Sequence, residues 1–293
     1  MESAFRNIGL IGRAEDERVM NLVEILVSFL QEKALNIILE SSLAEKINHK
    51  QLQEARIQTL GEVCDLVIVI GGDGSLLGAG RMLAKYGIPV VGINRGQLGF
   101  LTDIMPQQMA FQLNEIFNGH YKIETRFLLL CQVRRDDQLI AEGSALNDMV
   151  LHPSEAVQMI EFELYIEGQF VYSLRSDGLI VTTPTGSTAY ALSGGGPIMH
   201  PSLDALCLVP MFPHTLSSRP IVVHGNSEIK IIVGASRGLP PKISCDGQPG
   251  IQLYVGDVIY AGKKPHKLKL LHPLDHDFYE ACRSKLGWSS KLT

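Results

Sequence analysis

Five apolar residues, Leu66 to Ile70, run directly into Gly71-Gly72-Asp73-Gly74, and a helical-looking stretch follows from Ser75 to Tyr86. A buried strand, a glycine turn holding one carboxylate and a helix N-terminus together make a phosphate site with a base inside it. The glycines at 71, 72 and 74 let the backbone take conformations closed to other residues and admit a bulky anion to hydrogen-bonding distance. Asp73 is the unusual member, because a carboxylate beside a phosphate repels it unless a metal ion lies between them or the carboxylate has a proton to take. The same residues also suit an ordinary Asp-Gly turn, so the motif alone leaves a turn and a kinase site both open.

A second constellation lies at Ser176 to Tyr190 and Ser193-Gly194-Gly195-Gly196-Pro197, where hydroxyls and glycines are far denser than in their surroundings. Small hydroxyl residues around glycine suit a backbone-lined pocket for a sugar or phosphate, and Pro184 fixes a turn. A serine/threonine loop capping a helix at 188–193 is the plainer reading of any one of them. Asn147-Asp148 precedes the strand Met149 to His152 and by itself reads as a turn. Hydrolase chemistry has little support, because Thr185-Gly186-Ser187-Thr188-Ala189 lacks the second glycine of a nucleophile elbow. Cys245, at the end of a strand, reads as a small packed residue. The nine histidines read as structural or surface residues and no metal-ligand set is assigned.

Around these motifs, residues 8–12 form a short buried strand, and 16–33 place apolar residues at helical spacing with charges opposite. The expected continuation is a strand at 37–40, a helix over 43–60, strand 66–70, helix 75–86 and strand 88–93. Strands alternating with helices imply a mostly parallel sheet with covered faces, whose ligands bind beyond the carboxyl ends of the strands. The glycine turn and Asn94-Arg95-Gly96 both fall there. No P-loop or GxGxxG dinucleotide fingerprint occurs. From about residue 125 the pattern becomes short, alternating and turn-bounded, predicting antiparallel strands at 127–134, 138–142, 149–152, 160–166, 169–174, 178–183, 221–223, 229–233, 242–245, 258–260 and 267–271. The tail 275–287 reads as a helix.

The chain has 293 residues, 45% hydrophobic and 19% charged, which predicts a fully folded protein of two domains or one large one. A net charge of −5 argues against a surface built for nucleic acid or anionic membrane. Five well-separated cysteines without a CxxC pair suggest neither a disulfide framework nor a zinc site, and fit a reducing cytoplasm. Neither a signal peptide nor a membrane span is expected.

Taken in order and spacing, Gly71-Gly72-Asp73-Gly74, Asn147-Asp148, the block from Asp177 to Tyr190 and Cys245-Asp246-Gly247-Gln248 closely resemble the NAD kinase family in its bacterial, ATP-dependent form. Residues Pro210 to Pro220 and Lys285-Leu286-Gly287-Trp288 extend the resemblance over nearly the whole length. It implies an α/β domain with a mostly parallel, phosphofructokinase-like sheet over 1–122, an all-β, sandwich-like NAD-binding domain over 123–271, and a tail over 272–293 that returns to the first domain. It also implies transfer of the γ-phosphate of ATP, as Mg-ATP, to the 2′-hydroxyl of the adenosine ribose of NAD, giving NADP, with Asp73 as general base. Gly72 and Gly74 would then leave room for phosphate and ribose. Asn147 and Asp148 would hold the nicotinamide-side ribose, Arg175 and Asp177 would line the nicotinamide end, and Thr188, Ala189, Tyr190, Ala191, Leu192 and Ser193 would form the opposite wall. Gln158 and Gln248 complete the implied nucleotide contacts; Gln158 falls where close relatives often carry His. A cation at Arg175 implies selectivity for the charge of the nicotinamide ring, which comparable turnover of NAD and NADH would sink. A homo-oligomer, dimer or tetramer, is implied because a second subunit often completes the pocket. Two other classes stay open: a lipid kinase sharing the glycine turn, weakened by the acidic net charge, and a nucleotide sensor, disfavoured by a carboxylate among phosphates.

Overall fold

The computed structural model describes residues 5–47, 51–154, 158–215, 217–236 and 238–288. The chain divides into two compact units, Met1–Thr125 with Lys267–Thr293, and Arg126–His266.

The first unit is α/β. Its elements are β1 (Asn7–Gly12), α1 (Glu17–Glu32), β2 (Asn36–Glu40), α2 (Ser41–Ala44), β3 (Gln53–Ala55), α3 (Ile57–Val63), β4 (Leu66–Ile70), α4 (Asp73–Leu83), β5 (Pro89–Ile93) and α5 (Met109–Phe117). The strands lie in the order β3-β2-β1-β4-β5, and every one of these pairings is parallel. All five residues of β4 are buried, as expected of a central strand covered on both faces. Each such aliphatic side chain contributes about 1.5–3 kcal/mol on burial, so β4 is a rigid support for the turn that follows it. Helix α1 buries Val19, Val23, Leu26, Val27 and Leu30 and is capped by Asp16, whose carboxylate accepts the Arg18 N–H at 3.1 Å.

The second unit is antiparallel. It takes up β6 (Lys122–Arg135) from Arg126 onward, followed by β7 (Gln138–Ala145), β8 (Asp148–His152), β9 (Ile160–Ile166), β10 (Gln169–Ser176), β11 (Gly178–Thr182), α6 (Tyr190–Ser193), β12 (Ala205–Met211), β13 (Ile221–His224), β14 (Ile229–Ser236), β15 (Lys242–Cys245) and β16 (Ile251–Gln252). The last strand, β17 (Val258–His272), begins in this unit and ends in the first, where Lys269 and Leu270 run parallel to β5. One sheet has the order β13-β12-β11-β8-β15-β16; the other carries β10-β9-β14 and the start of β17, and β6 pairs with β7. Alternate residues of both sheets, among them Leu151, Val181 and Leu208 on one and Phe162, Leu164 and Ile231 on the other, share one core, which makes the unit a sandwich. Helix α7 (Phe278–Leu286), in the first unit, closes the described chain.

The expected fold class is observed, with local corrections. The helix expected over 43–60 is instead α2, β3 and α3, because Gln53, Glu54 and Ala55 pair in parallel with Ile38, Leu39 and Glu40 and extend the sheet edge; residues 48–50 of that stretch lie outside the described residues. The helix after the glycine turn starts at Asp73, not Ser75, so the carboxylate sits in its first turn, and it tightens at Ala84–Tyr86 before Gly87 ends it with φ +67. The helix expected at 188–193 is a tight turn at Thr185–Thr188 followed by α6, the break falling at Ala189. Segments 258–260 and 267–271 are one strand, while β12, β16 and α5 carry no expectation from the sequence.

Candidate active site

In the first unit, β4 delivers the chain to Gly71, whose φ of +156 favours glycine and where a Cβ would strike Ser75. Gly72 then caps α4 and Asp73 opens it. A Cβ at Gly72 or Gly74 would meet nothing within 4 Å, so these glycines leave open space above the helix N-terminus. The Asp73 carboxylate is held by the segment after β5. Its Oδ2 accepts the Phe100 N–H at 2.9 Å, and its Oδ1 accepts the Leu101 N–H at 3.0 Å, the Thr102 N–H at 3.1 Å and the Thr102 hydroxyl at 3.1 Å. Buried Asn94 braces that segment: its amide donates to Thr102 Oγ1 at 2.9 Å and its Oδ1 accepts from Gly96 and Gln97.

Gly99 passes so close that a Cβ there would collide with Asp73 Oδ1 and Thr102 Oγ1. Gly99→Ala is therefore expected to displace the carboxylate and cut turnover about 10²-fold, the cost of a misplacement near 1 Å, with unfolding by urea showing that the fold persists.

Asp73 faces a cleft of about 580 Å³ whose walls include Arg18, Arg95, Asn94 and Lys285. Arg95 Nη1 lies 2.5 Å from Asp16 Oδ2, and this hydrogen bond is the chief reason the Asp16 carboxyl sits below the usual carboxylate range. The cleft thus sets three cationic side chains around one helix N-terminus, an arrangement suited to a polyphosphate. No signal in the sequence marks Arg18, and Lys285 is read there only as part of the family-like ending, without a role in the site.

In the second unit, a cavity of about 630 Å³ is lined by Asp148, Gln158, Asp177, Tyr190, Met211 and Phe212, among others. Four expected site residues therefore meet in one place. Asp148 is buried; burial first, and the charge of Asp246 second, push its carboxyl up to about 7. The turn before it is built by Asp246, at φ +47, whose carboxylate accepts the backbone N–H groups of Leu146 at 2.8 Å, Asn147 at 2.9 Å and Asp148 at 3.1 Å. The Asn147 carbonyl accepts from the Thr182 hydroxyl at 3.0 Å and the Thr183 N–H at 2.9 Å.

The dense hydroxyl block is thus largely structural: Thr182, Thr183 and Ser187 are buried and bonded to backbone, with Ser187 Oγ donating to Pro184 O and accepting from Met199 N. Of Thr188 to Ser193, Tyr190 lines the cavity and Ala191 packs in the core. Gln158 donates through Nε2 to Leu239 O at 3.0 Å. Arg175 and Gln248 are exposed and do not line the cavity; the Arg175 guanidinium is 4.0 Å from Glu161. Cys245 is buried beside Cys131, which fits its reading as a packed residue. Two features escape the sequence reading. Asp246 is one, read only as part of a motif. The other is His272-Pro273-Leu274-Asp275-His276, two imidazoles four residues apart that meet Asp103, so these two are not scattered singly along the chain.

The raised carboxyl of Asp148 has a signed consequence. Its folded pKa lies above the ordinary 3.8, so the protonated form is favoured and its contribution to stability is lost as pH rises from 3.8 through about 7. The stability advantage of Asp148→Asn over the parent is expected to grow by about 1–3 kcal/mol between pH 5 and pH 8, as measured by urea unfolding at the two pH values.

An acid set in a glycine turn over a cationic cleft, together with a β-sandwich carrying a carboxylate-lined cavity, defines a phosphotransferase of the two-domain nucleotide-kinase class. Residues 8–121 match the family described as the ATP-NAD kinase N-terminal domain, and residues 146–272 match the ATP-NAD kinase C-terminal domain. The chain belongs to the ATP-NAD kinase family. It is 59% identical over 288 residues to the NAD kinases of Pseudomonas entomophila and Pseudomonas fluorescens, covering 98% of this chain and 97% of each relative. Yeast NADH kinase in complex with NADH superposes with a TM-score of 0.89 at 26% identity, over 98% of this chain and 89% of that one. An NAD kinase from Archaeoglobus fulgidus in complex with ATP shares the fold, with a TM-score of 0.74 at 24% identity over 97% of this chain and 100% of that one.

Proposed function

We propose that this chain transfers the γ-phosphoryl group of ATP to the 2′-hydroxyl of the adenosine ribose of NAD, with Asp73 as the base. Membership of the family supports the reaction. The observation that carries the residue assignment is Asp73 standing at a helix N-terminus over a cleft walled by Arg18, Arg95 and Lys285. A ribose hydroxyl is a weak nucleophile, so the site must position it in line and remove its proton. Asp73 takes the proton as the ribose oxygen bonds to the γ-phosphorus and the bond to the β-phosphate oxygen breaks, releasing ADP and NADP. Because the loop donors Phe100, Leu101 and Thr102 already engage both carboxylate oxygens, they fix its direction, and one contact must loosen as the proton arrives. Arg18, Arg95 and Lys285 offset the charge of the triphosphate.

Magnesium would enter as part of the nucleotide substrate, held by the triphosphate oxygens, and would offset the charge of the transferring phosphoryl group. In the second unit, Asn147 and Asp148 act as ribose acceptors, with Asp177, Gln158 and Tyr190 around the remainder of the dinucleotide. Arg175, Gln248 and the other residues of 188–193 belong to the same reading through the family resemblance, with Arg175 at the nicotinamide end. We further place the enzyme in the cytoplasm as a homo-oligomer. Five buried cysteines that form no disulfide, and the absence of any described helix long and apolar enough to cross a membrane, agree with the location, and exposed Tyr190 and Phe212 at the cavity rim agree with a subunit contact.

Incubating the purified chain with NAD, ATP and magnesium, and reading NADP with an NADP-specific dehydrogenase, tests the reaction. NADP is expected to accumulate with ATP consumption. A phosphorylated lipid in place of NADP would overturn the reading, as would tight NAD binding without turnover.

A further inference from the structure

Asp103 directly follows the loop that holds Asp73, and it meets two histidines from the end of β17 and the turn before α7. Its Oδ2 lies 2.8 Å from His272 Nδ1 and 2.7 Å from His276 Nδ1. The two imidazoles stack with ring centroids 4.0 Å apart. The three side chains are 8%, 1% and 8% exposed respectively, so they form a dry cluster. Burial by itself would raise the Asp103 carboxyl, but hydrogen bonds from His272 and His276 overcome it and hold the group down at about 2, leaving it ionised.

The hydrogen-bond accounting of this cluster does not close. Both Nδ1 atoms must carry protons to satisfy Asp103, which fixes each neutral imidazole in the tautomer with a bare Nε2. Yet Nε2 of His272, Nε2 of His276 and Oδ1 of Asp103 are all buried without a hydrogen-bond partner. Buried polar atoms left unsatisfied cost about 1–3 kcal/mol each, and three in one cluster call for an explanation.

We propose that Asp103, His272 and His276 form a binding site for one transition-metal dication of the zinc type. Two imidazole nitrogens and one carboxylate oxygen, each able to lie within 4.8 Å of the others, are a three-ligand set that borderline dications take. Binding replaces the hydrogen bond from each Nδ1 with a bond to the metal, so each coordinated ring carries its proton on Nε2. The bare Nε2 atoms thereby become donors. That of His272 lies 3.6 Å from Glu124 Oε2, a carboxylate placed to orient a ligating histidine. Tetrahedral coordination needs donor atoms about 3.3 Å apart, so the cluster opens by roughly half an ångström on loading. Asp103 and His276 also line a cleft of about 950 Å³, which provides an entry path and room for a water as fourth ligand. The ion would tie the C-terminal segment to the residue beside Thr102, and so to the loop that aims Asp73. This inference does not depend on the kinase reading, and its test does not use activity.

The full-length chain, stripped with a chelator and dialysed, is titrated with zinc by calorimetry and with cobalt by visible absorption. One ion per chain is expected, with the intense visible bands of tetrahedral cobalt and a rise in Tm on loading. His276→Phe keeps a stacked ring and removes one ligand; it is expected to weaken uptake at least about 100-fold and to abolish the Tm rise. His200→Ala, at a half-buried histidine outside the cluster, is expected to change neither. The proposal is overturned if the parent takes up less than one ion per chain, or if His276→Phe binds as the parent does. Should His276→Phe prove unfolded by circular dichroism, His276→Gln replaces it under the same two criteria.

Discussion

Asp73→Asn is expected to lower kcat about 10²–10⁴-fold, the usual worth of a positioned base, while NAD and ATP still bind within a few-fold of the parent. Asparagine has nearly the shape of aspartate, so the glycine turn and the α4 N-terminus are retained. The substitution does more than remove a base, however. The carboxylate accepts from three backbone N–H groups and one hydroxyl, and an amide nitrogen placed at Oδ2 would face the Phe100 N–H donor to donor. Some loss of loop order, about 1–3 kcal/mol of stability, therefore accompanies the loss of proton acceptance. Thr102→Val separates the two effects, since it removes the hydroxyl contact and keeps the carboxylate. Turnover of Thr102→Val is expected to fall less than about tenfold, because the base remains. Wild-type kcat in Asp73→Asn, measured by NADP production under saturating substrates, would remove Asp73 from the role of base.

Asp246→Ala is expected to be the most damaging change in the second unit. Three consecutive backbone N–H groups, those of Leu146, Asn147 and Asp148, converge on one carboxylate. Hydrogen bonds to a charged acceptor are worth about 1.5–3 kcal/mol each, so removing the acceptor is expected to cost about 3 kcal/mol or more in urea unfolding. The turn carrying Asn147 and Asp148 would then lose its geometry, and the KM for NAD is expected to rise by more than about tenfold with a smaller change in kcat. Asp246→Asn should be milder, because one oxygen still accepts from Asn147 and Asp148 while the amide nitrogen disturbs Leu146. An unchanged KM in the alanine variant would mean that this turn does not hold the dinucleotide.

Much of the α/β unit was legible because its signals are local. The run Leu66 to Ile70, short and bounded by glycine, reads as a buried strand, the apolar spacing after Asp16 reads as an amphipathic helix, and the glycines at 71 and 72 mark the turn between β4 and α4. Local reading failed at 43–60, where three residues with no strand character are drawn into the sheet by hydrogen bonds to β2. It failed again at β12, whose Pro210 discourages a strand assignment although the residue pairs with Leu179 within the sheet. At the site, residue types singled out Asp73, and Asn147, Asp148, Asp177 and Tyr190 were expected only through the family resemblance, while the hydroxyls of Thr182, Thr183 and Ser187 carried a pocket-like signature that the fold spends on bracing backbone.

The sequence by itself determined that this chain holds one carboxylate in a glycine turn between a buried strand and a helix, because three glycines and five aliphatic residues leave the local backbone few alternatives. What surrounds that carboxylate was decided by tertiary structure alone. The donors on Asp73 come from residues 27 to 29 positions away, the carboxylate that shapes the Asn147-Asp148 turn from about 100 positions away, and the histidines on Asp103 from the end of the chain. No periodicity records contacts of that range, since hydrogen bonds and charge act over ångströms in space and leave no fixed spacing along the chain.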